Sequence, residues 1–293
     1  MNSPLVAPEL IIGTANFGNR YGIANQQNIS NSENESNIIK TAIDLGILCF
    51  DSASGYGSSE SILGNNLINQ NQTKITSKVG IDDCRSASEL VQTVQKSLRD
   101  TKVTKFRSVL LHNSSELVHG NAKEIRNGLR QLIEMELCER IGVSVYNEQE
   151  ALEAKRILPE LTEFQIPENI CDQRKLPSRA LLELSYEGNY LSVRSVFLQG
   201  LLLMNPDKVP MNLEPAKRTL VKLKSFADSI QLTILESCMA YAKSIPWASA
   251  IIVGVNNPEQ LEAIASIYQK SYDYDFNAAP RLDEWILDPR NWS

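Results

Sequence analysis

The alternation of short apolar runs with longer stretches of helical period is the feature that most constrains how this 293-residue chain folds. Eight apolar runs have the length of a strand: residues 10–14, 47–50, 74–77, 108–111, 140–144, 163–166, 192–197 and 250–253. Between them, apolar residues recur at three- and four-residue spacing, as in Leu129, Leu132 and Ile133. Strands that alternate with amphipathic helices predict a parallel sheet with right-handed crossovers. Eight such units in just under 300 residues predict an α/β fold, a closed (β/α)8 TIM barrel.

An open doubly wound sheet is the alternative fold, but such sheets usually begin with a glycine-rich phosphate loop. Here the first run leads into residues 13–18, GTANFG, which lack the G-x-G-x-x-G spacing and are not followed at once by a helical pattern. The length allows two average domains or one large barrel. Because the eight units use nearly the whole chain and no linker interrupts them, we predict one domain over residues 1–293.

Composition and charge exclude several classes of protein. The chain has 35 acidic and 29 basic residues, scattered along its length, which is not the pattern of a nucleic-acid binder. It has no apolar run of about 18 residues, and residues 1–9 lack the basic and apolar regions of a secretory signal. The five cysteines are odd in number and never spaced as CxxC, which argues against disulfides and zinc and favours reduced thiols. We therefore predict a cytoplasmic globular protein without a metal or a membrane partner.

Four polar residues follow the second, third and fourth apolar runs, where a barrel places its reactive groups. Asp51 directly follows the second run, and Tyr56 comes five residues later. Lys78 directly follows the third run, and His112 directly follows the fourth. Because consecutive strands are neighbours in a barrel, we expect these side chains to converge on one side of its mouth.

These residue types suit the reduction of a carbonyl group. A tyrosine is a weak acid, with an ordinary pKa near 10, and an adjacent ammonium group stabilises its phenolate form. A carboxylate beside the ammonium keeps it charged, and a neutral histidine can donate a hydrogen bond that orients the carbonyl. The phenol would then protonate the carbonyl oxygen while a hydride reaches the carbon. Since no side chain supplies a hydride, the reaction requires a cofactor.

The segment 42–64, AIDLGILCFDSASGYGSSESILG, closely resembles the signature of the aldo-keto reductases. These are (β/α)8 barrels that use NADPH or NADH and carry an Asp, Tyr, Lys and His tetrad. All four tetrad positions match in the family's order, and the resemblance resumes at 141–144, 164–165, 194–200 and 253–261. It implies that Tyr56 is the general acid and Lys78 the cation that stabilises its phenolate. It further implies that Asp51 is the partner of Lys78, and that His112 orients a small carbonyl substrate.

The resemblance also implies a set of cofactor contacts after strands five to eight. Ser144 and Gln165 match positions that bind the nicotinamide carboxamide, and Ser195 and Phe197 match a loop along the pyrophosphate. Arg194 stands where many relatives stack a tyrosine or tryptophan on the nicotinamide. The segment after strand eight begins where a helix N-terminus can receive phosphate oxygens. Its residues are Gly254, Val255, Asn256 and Asn257.

Two departures from the family pattern bear on the cofactor. Val145 follows Ser144 where many relatives have an asparagine that contacts the carboxamide. The segment after strand eight has no Lys or Arg of the kind that usually binds a 2′-phosphate, since Gly254, Asn256 and Gln260 are uncharged. NADPH is the family default, but the sequence leaves NADH open.

Other interpretations remain open from the sequence alone. The chain is either an enzyme or a cofactor-binding regulatory protein of the same fold, and its substrate is either a small aldehyde or a sugar-like carbonyl compound. The loops 16–32 and 203–214 either line the active site or lie on the surface. His119 falls in a polar loop, so His112 is the stronger catalytic candidate. The tail, with Trp285 and Trp292, is expected to pack against the barrel.

Overall fold

A computed structural model describes residues 7–19, 22–23, 32–67, 72–80, 85–118, 121–172, 174 and 178–292, and it confirms the closed barrel. Eight parallel strands are hydrogen-bonded in sequence order, and the last strand pairs with the first. The strands are β1 Glu9–Gly13, β2 Cys49–Asp51, β3 Lys74–Val79, β4 Phe106–Leu111, β5 Cys138–Ser144, β6 Glu163–Pro167, β7 Tyr190–Arg194 and β8 Ala250–Gly254. All strands run in the same direction, so their carboxyl ends meet at one face.

Helices lie between consecutive strands, as the helical-period stretches predict. They are α1 Ser32–Asp44, α2 Ser59–Asn66, α3 Ala87–Thr101, α4 Ala122–Glu134, α5 Glu148–Ile157, α6 Arg179–Tyr186, α7 Ala216–Ser229, α8 Ile234–Ser244, α9 Pro258–Gln269 and the short α10 Glu284–Leu287. Within the part of the chain that the structure describes, every helix is too short or too polar to cross a membrane.

Helix α3 shows how the sequence specifies these elements. The side chain of Ser86 accepts a hydrogen bond from the backbone N–H of Glu89 and so caps the helix start. Leu90, Val94 and Leu98 share one face, and all three are buried. The apolar period of the sequence is therefore the packing face of the helix.

Two glycines allow close contacts that hold the helix layer and the barrel together. A Cβ atom on Gly64, in α2, would lie 2.1 Å from the carbonyl oxygen of Asp100 in α3. A Cβ atom on Gly142, in β5, would lie 2.1 Å from the carbonyl oxygen of Glu163 in β6. Neither position accepts a larger residue without a shift of the backbone.

The predicted seventh strand, 192–197, is wrong in its bounds. Strand β7 ends at Arg194, because Ser195 has a left-handed backbone with φ +62°. Phe197 lies in the turn that follows, and Leu198–Leu203 contains 3₁₀ turns on either side of a kink at Gln199 and Gly200. Both β7 and this segment carry buried apolar residues, and an apolar run by itself does not distinguish a strand from a buried 3₁₀ turn.

The connection from β7 to β8 holds more structure than the sequence indicates. The region 203–214, predicted to be a loop, contains the 3₁₀ turns Pro206–Lys208 and Met211–Leu213, and helix α7 precedes α8. In the tail, Trp292 is buried and its indole N–H donates to the Ile286 carbonyl oxygen. The tail packs on the barrel as predicted, through Trp292 and through buried residues such as Leu282 and Ile286, while Trp285 is 39% exposed.

Candidate active site

The four predicted catalytic residues line one cavity of about 760 Å³ at the carboxyl ends of the strands. Asp51 is the last residue of β2, and Lys78 lies one residue before the end of β3. His112 directly follows β4, and Tyr56 lies in the loop between β2 and α2. The structure thus brings together residues that span 62 positions of the sequence, as their placement after neighbouring strands predicts.

Lys78 and Asp51 form a buried ion pair at the base of the cavity. Lys78 is 2% exposed and Asp51 4% exposed, and the Lys78 ammonium donates to a carboxylate oxygen of Asp51. The ammonium also donates to the carbonyl oxygen of Ser52, at 3.2 Å. Burial by itself lowers the pKa of Lys78, but the charge of Asp51 and the interaction with Tyr56 together outweigh it, so the net pKa lies above its ordinary value. Lys78 is therefore a charged group at neutral pH.

The second carboxylate oxygen of Asp51 has a partner that sequence reasoning missed. The side-chain amide of Gln165, in β6, donates to it at 2.7 Å. Strand β6 lies opposite β2 in the ring of eight, so the contact crosses the barrel interior. No sequence pattern predicts such a contact, because the two residues are 114 positions apart.

Tyr56 and His112 face each other over the ion pair. Their ring centroids are 5.6 Å apart in an edge-to-face arrangement, and the Lys78 ammonium lies 5.3 Å from the centre of the Tyr56 ring. The turn that carries Tyr56 is tight, since its backbone N–H donates to the Ala53 carbonyl oxygen. Gly57 follows with φ +58°, a conformation that favours glycine. A phenol, an imidazole and an ammonium group therefore meet at one point of the cavity wall.

Most of the predicted cofactor residues line the same cavity. They are Ser144, Gln165, Arg194, Ser195, Phe197, Gly254 and Asn256. Val255 and Asn257 are not among the lining residues. The Val255 side chain is buried while its carbonyl oxygen accepts from the Asn16 amide at 2.6 Å. Asn257 caps α9 by accepting from the backbone N–H of Gln260 at 2.8 Å.

Tyr146, Lys208 and Arg290 are among the lining residues that were not singled out one by one from the sequence. The Arg290 guanidinium lies 3.6 Å from the centre of the Tyr146 ring, and that of Arg194 lies 4.6 Å from it. Tyr146 stands two residues after β5, a position that could have marked it as a candidate. Arg290 comes from the tail, and nothing in its local sequence indicates a site.

The two loops whose role the sequence left open, 16–32 and 203–214, both contribute residues to the cavity. Asn16 and Gly22 line it from the loop 16–32, and Asn205 and Lys208 do so from the region 203–214. Residues 20–21 and 24–31 lie outside the described residues, as does His119. The described parts of the two loops therefore contribute to the rim of the cavity.

The cysteines have the character of packing residues. Cys49, Cys138, Cys171 and Cys238 are buried and free of disulfides, and Cys84 lies outside the described residues. Burial raises the pKa of the Cys49 and Cys138 thiols to about 12, which disfavours the reactive thiolate. Among the residues that the structure describes, no three His, Cys, Asp or Glu side chains form a group that could hold a metal ion.

Comparison with known proteins agrees with the barrel fold. Residues 9–283 match the model of the Aldo/keto reductase family. The chain is similar to two solved structures, both described as a candidate aldo-keto reductase from Pseudomonas aeruginosa. The first is 21% identical with a TM-score of 0.66, covering 91% of this chain and 93% of the other. The second is 21% identical with a TM-score of 0.65, covering 89% of each chain. No curated protein matches the chain.

Proposed function

The chain belongs to the aldo/keto reductase family, and from that premise we propose that it reduces an aldehyde or ketone to an alcohol with a nicotinamide cofactor. Membership of the family implies an oxidoreductase. The observation that carries the proposal is the placement of Tyr56 and His112 over the buried pair of Lys78 and Asp51. An acid, an imidazole and a buried ion pair that converge in one cavity are typical of an active site.

The cavity suits a nicotinamide nucleotide in size and in the chemistry of its wall. Its volume of about 760 Å³ lies within the range of ligand sites. Ser144 and Gln165 are buried polar residues in its wall, next to the four catalytic candidates. A Cβ atom on Gly254 would meet no atom within 4 Å, so open space lies beside the end of β8. The cofactor would supply the hydride, and this chain's residues would hold the ring and the carbonyl in contact.

The proton in this proposal comes from the Tyr56 hydroxyl. The hydroxyl gives its proton to the carbonyl oxygen as the hydride arrives at the carbon, and the resulting phenolate faces the Lys78 ammonium. Asp51 holds that ammonium in place, and Gln165 fixes the other oxygen of Asp51 at 2.7 Å. Because these groups are already in place, little reorganisation accompanies the transfer. The same groups serve the reverse oxidation of an alcohol.

His112 is the proposed orienting donor. Its ring meets the Tyr56 ring edge to face, so the two polar ends can address one carbonyl oxygen from different sides. His112 follows β4, and Tyr56 follows β2, on either side of the β3 residue Lys78. The carbonyl would therefore bind over Lys78, between the two rings.

We assign the phosphate groups of the cofactor to the β7 and β8 side of the mouth. Ser195, Leu198 and Gln199 have left-handed backbones, and strained residues of this kind cluster at functional loops. Helix α9 begins at Pro258, so its N-terminus supports negative charge next to Asn256 and the proposed phosphate residues Val255 and Asn257. Lys208, in the connection from β7 to β8, adds a cation to the cavity lining. Ser195 and Phe197 would lie along the pyrophosphate, with Arg194 at the nicotinamide end.

The direct test is turnover of a panel of aldehydes by the purified protein. We expect the near-ultraviolet absorbance of NADPH or NADH to fall only when an aldehyde is present. The regulatory alternative is not supported by the comparisons, and it predicts a different outcome. Tight cofactor binding with negligible oxidation by every carbonyl compound in the panel would replace the enzyme proposal with that alternative.

The second prediction concerns the choice of cofactor. The segment from Gly254 to Gln260 carries no cation, so we expect the dissociation constants of NADPH and NADH to differ by less than about tenfold, or 1.4 kcal/mol. Side-by-side fluorescence titrations measure both constants. A larger preference for NADPH would show that a 2′-phosphate site exists, and loss of that preference in Lys208→Met would assign it to Lys208.

The domain organisation and the cellular location of the protein are two further proposals. We propose that residues 1–293 act as one domain, since the family match extends over 9–283 and the tail packs through Trp292. We also propose a cytoplasmic location, which the buried free thiols support.

A further inference from the structure

One wall of the cavity is built from two guanidinium groups around a single aromatic ring. Arg290 lies 3.6 Å and Arg194 lies 4.6 Å from the centre of the Tyr146 ring. Arg194 also donates to the carbonyl oxygen of Val145, at 3.2 Å, and to the hydroxyl of Ser195. We call these three residues, Tyr146, Arg194 and Arg290, the arginine wall.

The arginine wall stands on the β5 side of the mouth. Tyr146 follows β5, which pairs with β4, the strand that leads to His112. Arg194 ends β7, but its contacts with Val145 and Tyr146 carry the side chain across β6 toward β5. The wall is therefore next to the proposed carbonyl site. The phosphates are assigned to the β7 and β8 side of the mouth, where Arg194 is rooted, so Tyr146 and Arg290 are the wall residues on the carbonyl side.

The charges that face the cavity are mostly positive. Within the described part of the chain, the charged lining residues are the anion Asp51 and the cations Lys78, Arg194, Lys208 and Arg290. Asp51 is already paired with Lys78, and Arg290 is paired with Asp288, which does not line the cavity. This excess of cations occurs in a chain whose net charge is −6, so the lining departs from the charge of the whole molecule. A cleft lined by one sign of charge concentrates ligands of the opposite sign.

Two carboxylates hold the wall in place: Glu150 accepts from the backbone N–H of Tyr146 at 3.0 Å, and Asp288 accepts from Arg290. Asp288 accepts from the Arg290 guanidinium through both oxygens, and neither Asp288 nor Glu150 is a lining residue. Burial raises the pKa of Asp288, but the hydrogen bonds and charge of Arg290 and the charge of Arg194 lower it below its ordinary value. The Arg290 guanidinium therefore already binds one carboxylate at this place. The Arg194 Nε atom is buried and has no hydrogen-bond partner among the described residues.

We propose that the arginine wall recognises an anionic group of the substrate, so that the preferred substrate is an aldehyde or ketone that also carries a carboxylate or a phosphate. The carbonyl would bind between Tyr56 and His112, and the anionic group would extend toward Tyr146 and Arg290. Guanidinium groups suit both kinds of anion because their planar N–H groups match two oxygens at once. This inference rests on the proposed function for the carbonyl, but the recognition of the anion does not depend on turnover.

Arg290 lies beyond residue 283, where the family match ends. Its side chain is 53% exposed, at the rim of the cavity, and it is fixed by Asp288 within a short 3₁₀ turn. Its place at the rim makes it a suitable position for a test.

The test compares 4-formylbenzoate with its neutral methyl ester in the wild type, Arg290→Met and Arg281→Met. Arg281 is an exposed arginine of the same tail that does not line the cavity. We expect the wild type to favour the acid over the ester in kcat/KM by about tenfold or more, the gain from one charge-assisted hydrogen bond. Arg290→Met should reduce that acid-to-ester ratio by about tenfold, and Arg281→Met should leave the ratio unchanged. Equal use of acid and ester by the wild type, or an unchanged ratio in Arg290→Met, would overturn the proposal.

A second variant distinguishes recognition of the substrate anion by Arg290 from a purely structural role of Arg290 in holding the tail. Asp288→Asn removes the competing carboxylate but keeps an acceptor for the Arg290 backbone N–H. We expect the acid-to-ester ratio to rise in Asp288→Asn, whereas a fall like that of Arg290→Met would mean that the tail only needs to be held, and would contradict the proposal. The pair glyceraldehyde 3-phosphate and glyceraldehyde, measured in parallel, shows whether phosphate or carboxylate is the better anion.

Binding measurements test the preference for the acid over the ester independently of catalysis. Calorimetry with 4-(hydroxymethyl)benzoate and its methyl ester, in the absence of oxidised cofactor, measures the same preference on alcohols that cannot react. If no aldehyde is reduced but the acid still binds about tenfold tighter than the ester, the proposed reduction fails and the arginine wall stands. If aldehydes are reduced but acid and ester bind alike, the reduction stands and the arginine wall fails.

Discussion

Replacing Tyr56 with phenylalanine is expected to lower kcat/KM for aldehyde reduction by about 10²- to 10⁴-fold, the usual contribution of a general acid. The variant keeps the ring, its edge-to-face contact with His112 and its position 5.3 Å from the Lys78 ammonium. It loses only the hydroxyl that would protonate the carbonyl oxygen. The affinity for the reduced cofactor should change far less than the rate.

The measurement is cofactor oxidation under single-turnover and steady-state conditions, with cofactor binding followed separately by fluorescence. Tyr274→Phe is the matched control, because it removes a hydroxyl from a tyrosine that does not line the cavity. We expect Tyr274→Phe to retain wild-type rates. Equal rates for wild type and Tyr56→Phe would remove Tyr56 from the proposed role and point to another proton source.

Replacing Asp51 with alanine is expected to lower the free energy of unfolding by about 3–5 kcal/mol, the cost of leaving a buried charge without its partner. Lys78 is 2% exposed, and Asp51 accepts its ammonium and the Gln165 amide. Urea unfolding followed by circular dichroism measures the loss. Asp44→Ala, an exposed carboxylate at the end of α1, should change stability by less than about 0.5 kcal/mol.

The pH dependence of the stability loss in Asp51→Ala distinguishes the effect of an unpaired charge from the effect of the void that the shorter side chain leaves. In the wild type, Lys78 has a pKa above its ordinary 10.5, so the stability from the pair is complete below that pH and is lost as pH rises through the higher folded-state value. In Asp51→Ala, burial dominates and the pKa falls below 10.5, so the variant regains stability as pH rises. The difference between the two proteins should therefore shrink from pH ~7 toward ~10.

The double variant Asp51→Ala with Lys78→Met removes the whole ion pair and so separates packing from electrostatic stabilisation. Removing both members of a buried pair costs less than removing one, because no unpaired charge remains. We expect the double variant to be more stable than Asp51→Ala alone. A pH-independent loss in Asp51→Ala, together with additive effects in the double variant, would show that the pair contributes packing and little electrostatic stabilisation.

The positions of the four catalytic candidates were predictable because each depends on local sequence. Asp51, Lys78 and His112 stand at the ends of apolar runs, and a parallel barrel brings the ends of consecutive strands to one face. The family signature at 42–64 then added the roles of these residues and of Tyr56. Strand β7 shows the limit of such patterns, because its buried apolar run continues past Arg194 into a left-handed turn and a 3₁₀ segment.

The contacts that tune the site were not predictable. Gln165 reaches Asp51 across the barrel, and Arg194 crosses β6 to reach Val145. Such contacts join residues that are distant in the sequence and depend on the barrel radius and on side-chain direction. No local pattern connects Arg290 with Tyr146, since the path of the tail is determined by its packing on the finished barrel.

The periodicity of the apolar residues and the succession of strands and helices along the chain are properties of the sequence. They therefore determined the barrel and the positions of the four residues at its mouth. Only the tertiary structure decided how those residues are held and which charges surround them. The ion pair of Lys78 and Asp51 and the arginine wall depend on burial and on distances that are set when the strands assemble. Electrostatic interactions act through space, so their strength became defined only when the barrel had closed.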